Sequence, residues 1–261
     1  ESDDAFAQAI GFSQPAGPFR AMFKLELSGD PDLSLHYTLS NSKPTRWSPR
    51  YTTPLTMNRT TVVRVAQFGT QGQVGPTVSR VYTRISADLA DFSSDLPILV
   101  IEAYGHNFVP ETDPWADYPD VPVLATLLEA PAKGQRVSIL GSVNYAGRAA
   151  MHTRGASTRK WDKKSYKFET WGEQNEDLDV SLLGMPAESD WILMSFYDED
   201  RALMRNPLIY ELSNQAGRYA ARARAYPITA KTSPTTLQTR RFGMPSCLRT
   251  FLTSLPSSAN G

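Results

Sequence analysis

RGASTRKWDKKSYKFET (154–170), LLGMPAESDWILMSFYDED (182–200) and RALMRNPLIYELSNQAG (201–217) form the stretch on which the rest of the chain depends. In the first segment Gly155, Ser157 and Thr158 sit among Arg154, Arg159 and Lys160, and lead through Lys163 and Lys164 into a β-type run, Ser165 to Thr170. Such a turn suits an anion: glycine lets the backbone approach, hydroxyls donate hydrogen bonds, and lysine or arginine supplies charge. Alternation puts Lys164, Tyr166 and Phe168 on one strand face and Lys163, Ser165, Lys167 and Glu169 on the other. A solvated basic hairpin accounts for the same spacing equally well, and no GxxxxGK[ST] signature is present.

The second segment predicts an apolar strand, ESDWILMSFYDED (188–200), flanked by Asp190, Asp198, Glu199 and Asp200. Acids at a strand end suit Mg²⁺, with Asp198 and Asp200 as candidates, and they equally suit the positive end of a helix dipole. The third segment predicts that helix, with Asn206 as N-cap, Pro207 in the first position and Gly217 as the stop. Leu208, Leu212 and Ala216 make its apolar stripe. Glu211 lies beside that stripe and, if buried, requires a cation such as a lysine from 163–167.

Outward from this stretch, composition sets limits. The 261 residues suffice for one large domain or two ordinary ones. With 27 basic and 27 acidic residues, no global field points to nucleic acid or an anionic membrane. No apolar run approaches the roughly 20 residues that span a bilayer. Cys247 is the only cysteine, which excludes a disulfide framework or thiolate metal site. The first residue is Glu1 with no charged-then-apolar leader after it, which predicts a fragment or processed form.

Toward the N-terminus, FKLELS (23–28) and LHYTLS (35–40) alternate apolar residues, TVVRVAQF (61–68) and TVSRVYTRI (77–85) are rich in β-branched residues, and turns at GDPD (29–32), NSKP (41–44) and GTQG (69–72) separate them. Short strands at this spacing predict an antiparallel sandwich. The run 35–68 resembles the immunoglobulin-like module at the C-terminus of chitobiases and β-hexosaminidases, with Asn41 where that pattern usually has Gly. Its tyrosines and Trp47 are expected as core and edge packing, with a sugar-stacking platform as the alternative. Residues 86–96 predict a linker, and LPILVIEAYG (96–105) a buried strand. The prolines of Phe108 to Pro122 predict a long loop, and 125–155 further strands with turns at AKG (132–134) and AGR (146–148).

The order of glycine turn, lysine strand and glutamate helix is that of a kinase N-lobe. The residues RGASTRKWDKKSYKFET, LLGMPAESDWIL, YDED and LMRNPLIYELSNQAGRYAAR resemble the CotH kinase family, named for a spore-coat protein kinase with an atypical, minimal kinase fold. The resemblance implies ATP and Mg²⁺ as cofactors, a protein Ser or Thr as acceptor, and an extracellular or cell-envelope setting with a cell-wall or spore-coat association. Carried over, Lys163 or Lys164 meets the ATP phosphates, Arg154, Ser157 and Thr158 line the nucleotide entrance, and Glu211 orients the lysine.

After Arg222 the family pattern is lost. Residues 226–261 hold four bases and no acid, and predict an unstructured segment or a shifted reading frame. The catalytic carboxylates of such a kinase are expected downstream and missing, so weak nucleotide binding and no useful phosphorylation are anticipated. The expected organisation is a short leader (1–11), a mainly β immunoglobulin-like sandwich (12–86), a linker (87–95), an α+β partial kinase-like domain resembling an N-lobe (96–225), and the tail (226–261). A non-catalytic adhesion or scaffold protein is the alternative reading, and an accessory part of a carbohydrate-active enzyme a distant third.

Overall fold

A computed structural model of the protein describes residues 10–104, 119–155, 164–195, 204–226, 228–231 and 250–254. The first eight strands are β1 (Gly11–Phe12), β2 (Gly17–Phe19), β3 (Phe23–Leu25), β4 (Leu27–Ser28), β5 (Ser34–Thr38), β6 (Leu55–Met57), β7 (Thr61–Gly69) and β8 (Gly72–Arg84). β2, β8, β7 and β5 form a four-stranded sheet, and β1 pairs with β4 and β3 with β6. Leu25, Leu27, Leu55 and Met57 from the small pairs meet Val63, Val65, Val78 and Tyr82 of the larger sheet in one core. The expected sandwich-like packing of several sheets is therefore present. The GTQG segment closes the β7–β8 hairpin, with Gly69 paired to Gly72.

Tyr37 and Tyr51 pack against that core as expected. Trp47 does not, and 88% of it is exposed. Its turn is pinned by Ser48 N donating to Thr45 O at 2.9 Å and Thr45 N donating to Ser48 Oγ at 2.9 Å. The backbone is thus held in a conformation that projects the indole outward.

The remaining strands are β9 (Ser93–Ser94), β10 (Ile98–Glu102), β11 (Val121–Leu128), β12 (Val137–Ser138), β13 (Val143–Arg154), β14 (Ser165–Trp171), β15 (Asp190–Ser195), β16 (Ala223–Tyr226), β17 (Ile228–Lys231) and β18 (Thr250–Ser254), with helix α1 (Arg205–Gln215) after β15. Eight of them form one sheet in the order β16-β18-β15-β14-β13-β11-β10-β17, antiparallel except where β10 meets β17. One face is covered by a core of Leu99, Ile101, Val123, Met151, Phe168, Leu182, Met185, Trp191 and Leu193.

Three expectations give way here. Residues 146–148 are not a turn but the middle of β13, where Gly147 lets the Tyr145 ring fold back and its hydroxyl donate to Arg148 O at 2.6 Å. Residues 228–231 and 250–254 of the tail lie in the large sheet, because a neighbouring strand edge supplies the pairing that their sequence pattern does not announce. Helix α1 buries none of its residues, and Leu208 and Leu212 of the expected apolar stripe are exposed. It starts at Arg205 with Met204 as N-cap, so Pro207 falls inside the first turn, where a missing N–H costs no helical bond. Gly217 is the stop that was expected: at φ 75° it lets its own N–H donate to Asn214 O at 3.1 Å and Arg218 N to Ser213 O at 3.0 Å.

The four-stranded sheet also covers part of the large one. Val62 and Val81 pack on Leu124 and Ala146, and the Thr83 and Thr126 hydroxyls share a buried hydrogen bond of 2.7 Å. Residues 61–68 of β7 are consequently buried on both faces.

Candidate functional site

Strand register brings several charged residues of the large sheet to one face. Arg148 pairs with Trp171, Ala150 with Glu169, His152 with Lys167 and Arg154 with Ser165, so these side chains share the face opposite the Phe168 core. Across β15, Glu169 stands opposite Asp190. On β11, Leu124 pairs with Arg148 and Thr126 with Ala146, which continues the same face to its contact with β8. The division predicted for the lysine strand is observed: Tyr166 and Phe168 turn to the core, Lys167 and Glu169 away from it.

Lys167 lies at the centre of this face. Its ammonium donates to Glu169 Oε2 and forms an ion pair with Asp190 Oδ1 at 3.1 Å. Glu169 also accepts from the Trp171 indole N–H at 2.8 Å. Burial works against the charge on Lys167, but its two carboxylate partners outweigh burial and hold it above the ordinary lysine value. Burial likewise opposes the charge on Glu169, and the bonds from Lys167 and Trp171 outweigh it, holding the carboxyl below its usual range. Asp177 moves the other way: burial and the nearby charges of Glu169 and Asp190 push it up. Further along the face, His152 Nδ1 lies 2.7 Å from Asp120 Oδ1.

Arg154 ends β13 half-buried on this face, and Gly155 follows it at φ 104°, a conformation that favours glycine. Lys164 is half-buried immediately before β14, at the same end of the hairpin. Arg154 and Lys164 thus flank the same end of the β13–β14 pair, Arg154 opposite Ser165 and Lys164 one residue before it. Ser157, Thr158 and Lys163, together with Asp198 and Asp200, lie outside the described residues. Glu211 is exposed on α1, accepts from Gln215 Nε2 at 2.9 Å, and borders a pocket of about 260 Å³ with Pro207, Tyr210, Arg222 and Arg224.

The donor set at the hairpin end, two cations beside a glycine, fits phosphate oxygens. Among the described residues no group of three His, Cys, Asp or Glu side chains is placed to hold a metal. Glu169 and Asp190, the closest approach to one, are already engaged by Lys167, so they do not fit Mg²⁺. Sequence reasoning placed Lys167 and Glu169 on one face without making them a pair. The i, i+2 spacing of opposite charges on a strand was the available signal, whereas Asp190 and Asp177 become partners only through the β15 register and the loop that folds back after Trp171.

Residues 151–232 match the CotH kinase protein family, and residues 14–83 match the chitobiase/beta-hexosaminidase C-terminal domain, with the second preceding the first along the chain. The first match takes in β14, β15, α1 and the Lys167 cluster, and it runs beyond Tyr226 into β17; the second ends within β8. No curated protein matches the chain. Among the described residues no helix is long and apolar enough to cross a membrane.

Proposed function

We propose that residues 96–232 form a CotH-like protein kinase module of an extracellular or cell-envelope protein, which binds ATP at the open end of the β13–β14 hairpin and serves phosphorylation of a protein Ser or Thr. The observation that supports this reading best is the match of 151–232 with the CotH kinase protein family, a segment that includes Arg154, Gly155 and Lys164. Arg154 and Lys164 supply fixed positive charge for phosphate oxygens, with Ser157, Thr158 and Lys163 as the further donors that the sequence offers. Lys167, held by Glu169 and Asp190, stiffens the strand that follows Lys164. Glu211, exposed on α1, is the residue the resemblance offers to orient a lysine. When bound, Mg²⁺ neutralises developing phosphate charge, and Asp198 and Asp200 are the acids offered for it.

Melting the chain with and without ATP and Mg²⁺, beside a Lys163→Ala, Lys164→Ala double variant, tests this. A ligand at a hundred times its Kd adds about 2.7 kcal/mol, enough to raise Tm by several degrees. The expected result is a rise in the native chain and none in the variant. A chain that melts cooperatively and shows no rise at millimolar ATP removes the nucleotide reading.

One observation favours a second role. The exposed Trp47 on a domain of chitobiase C-terminal type offers a flat apolar face for the non-polar side of a sugar ring. Retention of the native chain on chitin or cell-wall glycan, lost in Trp47→Ala, would establish a surface-binding module.

A further inference from the structure

We infer that the first module acts as a positioning element for the Lys167 cluster, through Arg64, Arg148 and Asn41. Arg64 projects from β7 and is 1% exposed. It donates through Nη1 to Asn41 O, and through Nη2 to Glu173 O and to Glu173 Oε2, the last at 3.2 Å. Ser79 of β8 donates to the same carboxylate at 2.6 Å. Two residues of the four-stranded sheet thus hold Glu173, which belongs to the loop after β14.

Arg148 holds the same loop from beneath. Its Nη1 donates to Gly172 O at 2.5 Å, its Nη2 to Asn175 Oδ1, and its Nε to Asn41 Oδ1 at 3.2 Å. Asn41 therefore touches both guanidinium groups, one with its main-chain carbonyl and the other with its side chain. Burial and the neighbouring Arg64 charge lower Arg148, so two like charges are kept close by the acceptors between them.

The loop so held is the one that completes the cluster. Gly172 N donates to Glu176 O at 2.8 Å and Leu178 N to Thr170 O at 3.0 Å, which folds Asp177 back beside Trp171. From there the Trp171 indole donates to Glu169, Asp177 lies beside it on the bridge to Trp171, and Glu169 holds Lys167. The path from Arg64 to Lys167 runs through hydrogen bonds to Glu173, the short loop from 172 to 178, and the Trp171–Glu169–Lys167 contacts, and Arg64, Arg148 and Glu169 are themselves buried. Arg64 is a positioning residue: it touches neither Lys167 nor the hairpin end.

The inference concerns the cluster and does not depend on nucleotide binding. Its test is the Trp171 indole N–H, observed by nitrogen–proton correlation spectroscopy and assigned with Trp171→Phe, together with amide exchange at Gly172 and Leu178. The Trp191 indole, which donates to Glu188 O at 3.1 Å, serves as an internal control. In Arg64→Gln, and more weakly in Asn41→Ala, the Trp171 resonance should move while that of Trp191 stays, and both amides should exchange about tenfold faster. Rescue of the native spectrum by Arg64→Lys is not expected, since one ammonium cannot span both Asn41 and Glu173. Should Arg64→Gln fail to fold, Asn41→Ala carries the decision. A folded variant with an unmoved Trp171 signal and native exchange overturns the inference, and ATP titration of the same variants reads the nucleotide proposal separately.

Discussion

Glu169 illustrates how one side chain on a strand acquires a pH dependence. Its carboxyl is held below the ordinary value of 4.5, so its contribution to stability is present above that value and is lost as pH falls through the lower folded one. Lys167, held above 10.5, contributes fully below that value and loses its contribution only in strong alkali. Asp177 has the opposite sign from Glu169, because its raised carboxyl opposes folding once ionised, and it offsets part of the effect. The stability deficit of Glu169→Gln relative to the native chain should therefore be greatest near pH 7 and shrink below about pH 4.5; urea titration at several pH values measures it. The two described tryptophans of contrasting burial make a second comparison. Trp191 is fully buried in the main core, and its replacement by Ala should cost about 3–5 kcal/mol. Trp47→Ala removes no packing and should stay within about 0.5 kcal/mol by the same titration.

Among the elements, helix α1 buries none of its residues, and only its C-terminus is closed by a capping turn. Gly217 at φ 75° ends it with both bonds of a reverse turn, and an alanine there must adopt a left-handed backbone. Gly217→Ala should cost the helix about 1 kcal/mol, seen as faster exchange of the Ala216 and Arg218 amides with little change in global melting. The helix was legible from Pro207 and Gly217 because caps are local. Its exposed face was not, since a periodic stripe states which residues are aligned and not whether anything covers them. The same distinction applies to β14. Alternation sorted Lys167 and Glu169 from Tyr166 and Phe168, but their partner Asp190 is set by the β15 register.

The whole molecule behaves as two sets of sheets sharing a buried seam. Val62, Val81 and Leu124 are buried between them, and Thr83 bonds Thr126 across it. The chain should consequently unfold in one transition, with calorimetric and van't Hoff enthalpies equal. Leu124→Asp, which places a charge with no partner in the seam, should destabilise by more than about 2 kcal/mol and broaden or split that transition. Two separate transitions in the native chain would show that the seam contributes little.

Sequence alone determined strand structure across 23–28, 35–38 and 61–68, the two faces of 165–170, the helix with its glycine stop, and the resemblances later matched over 14–83 and 151–232. Each of these depends on neighbours within a few residues, or on a spaced pattern of residue types. Only the tertiary structure decided that 146–148 runs straight through a strand, that Trp47 faces solvent, that tail residues join the sheet, and that Arg64 reaches Glu173. Those outcomes depend on which distant surface lies alongside: an unpaired strand edge, an open turn, or an acceptor 109 positions away along the chain. Local pattern specifies the conformation of a segment, and packing chooses its partner.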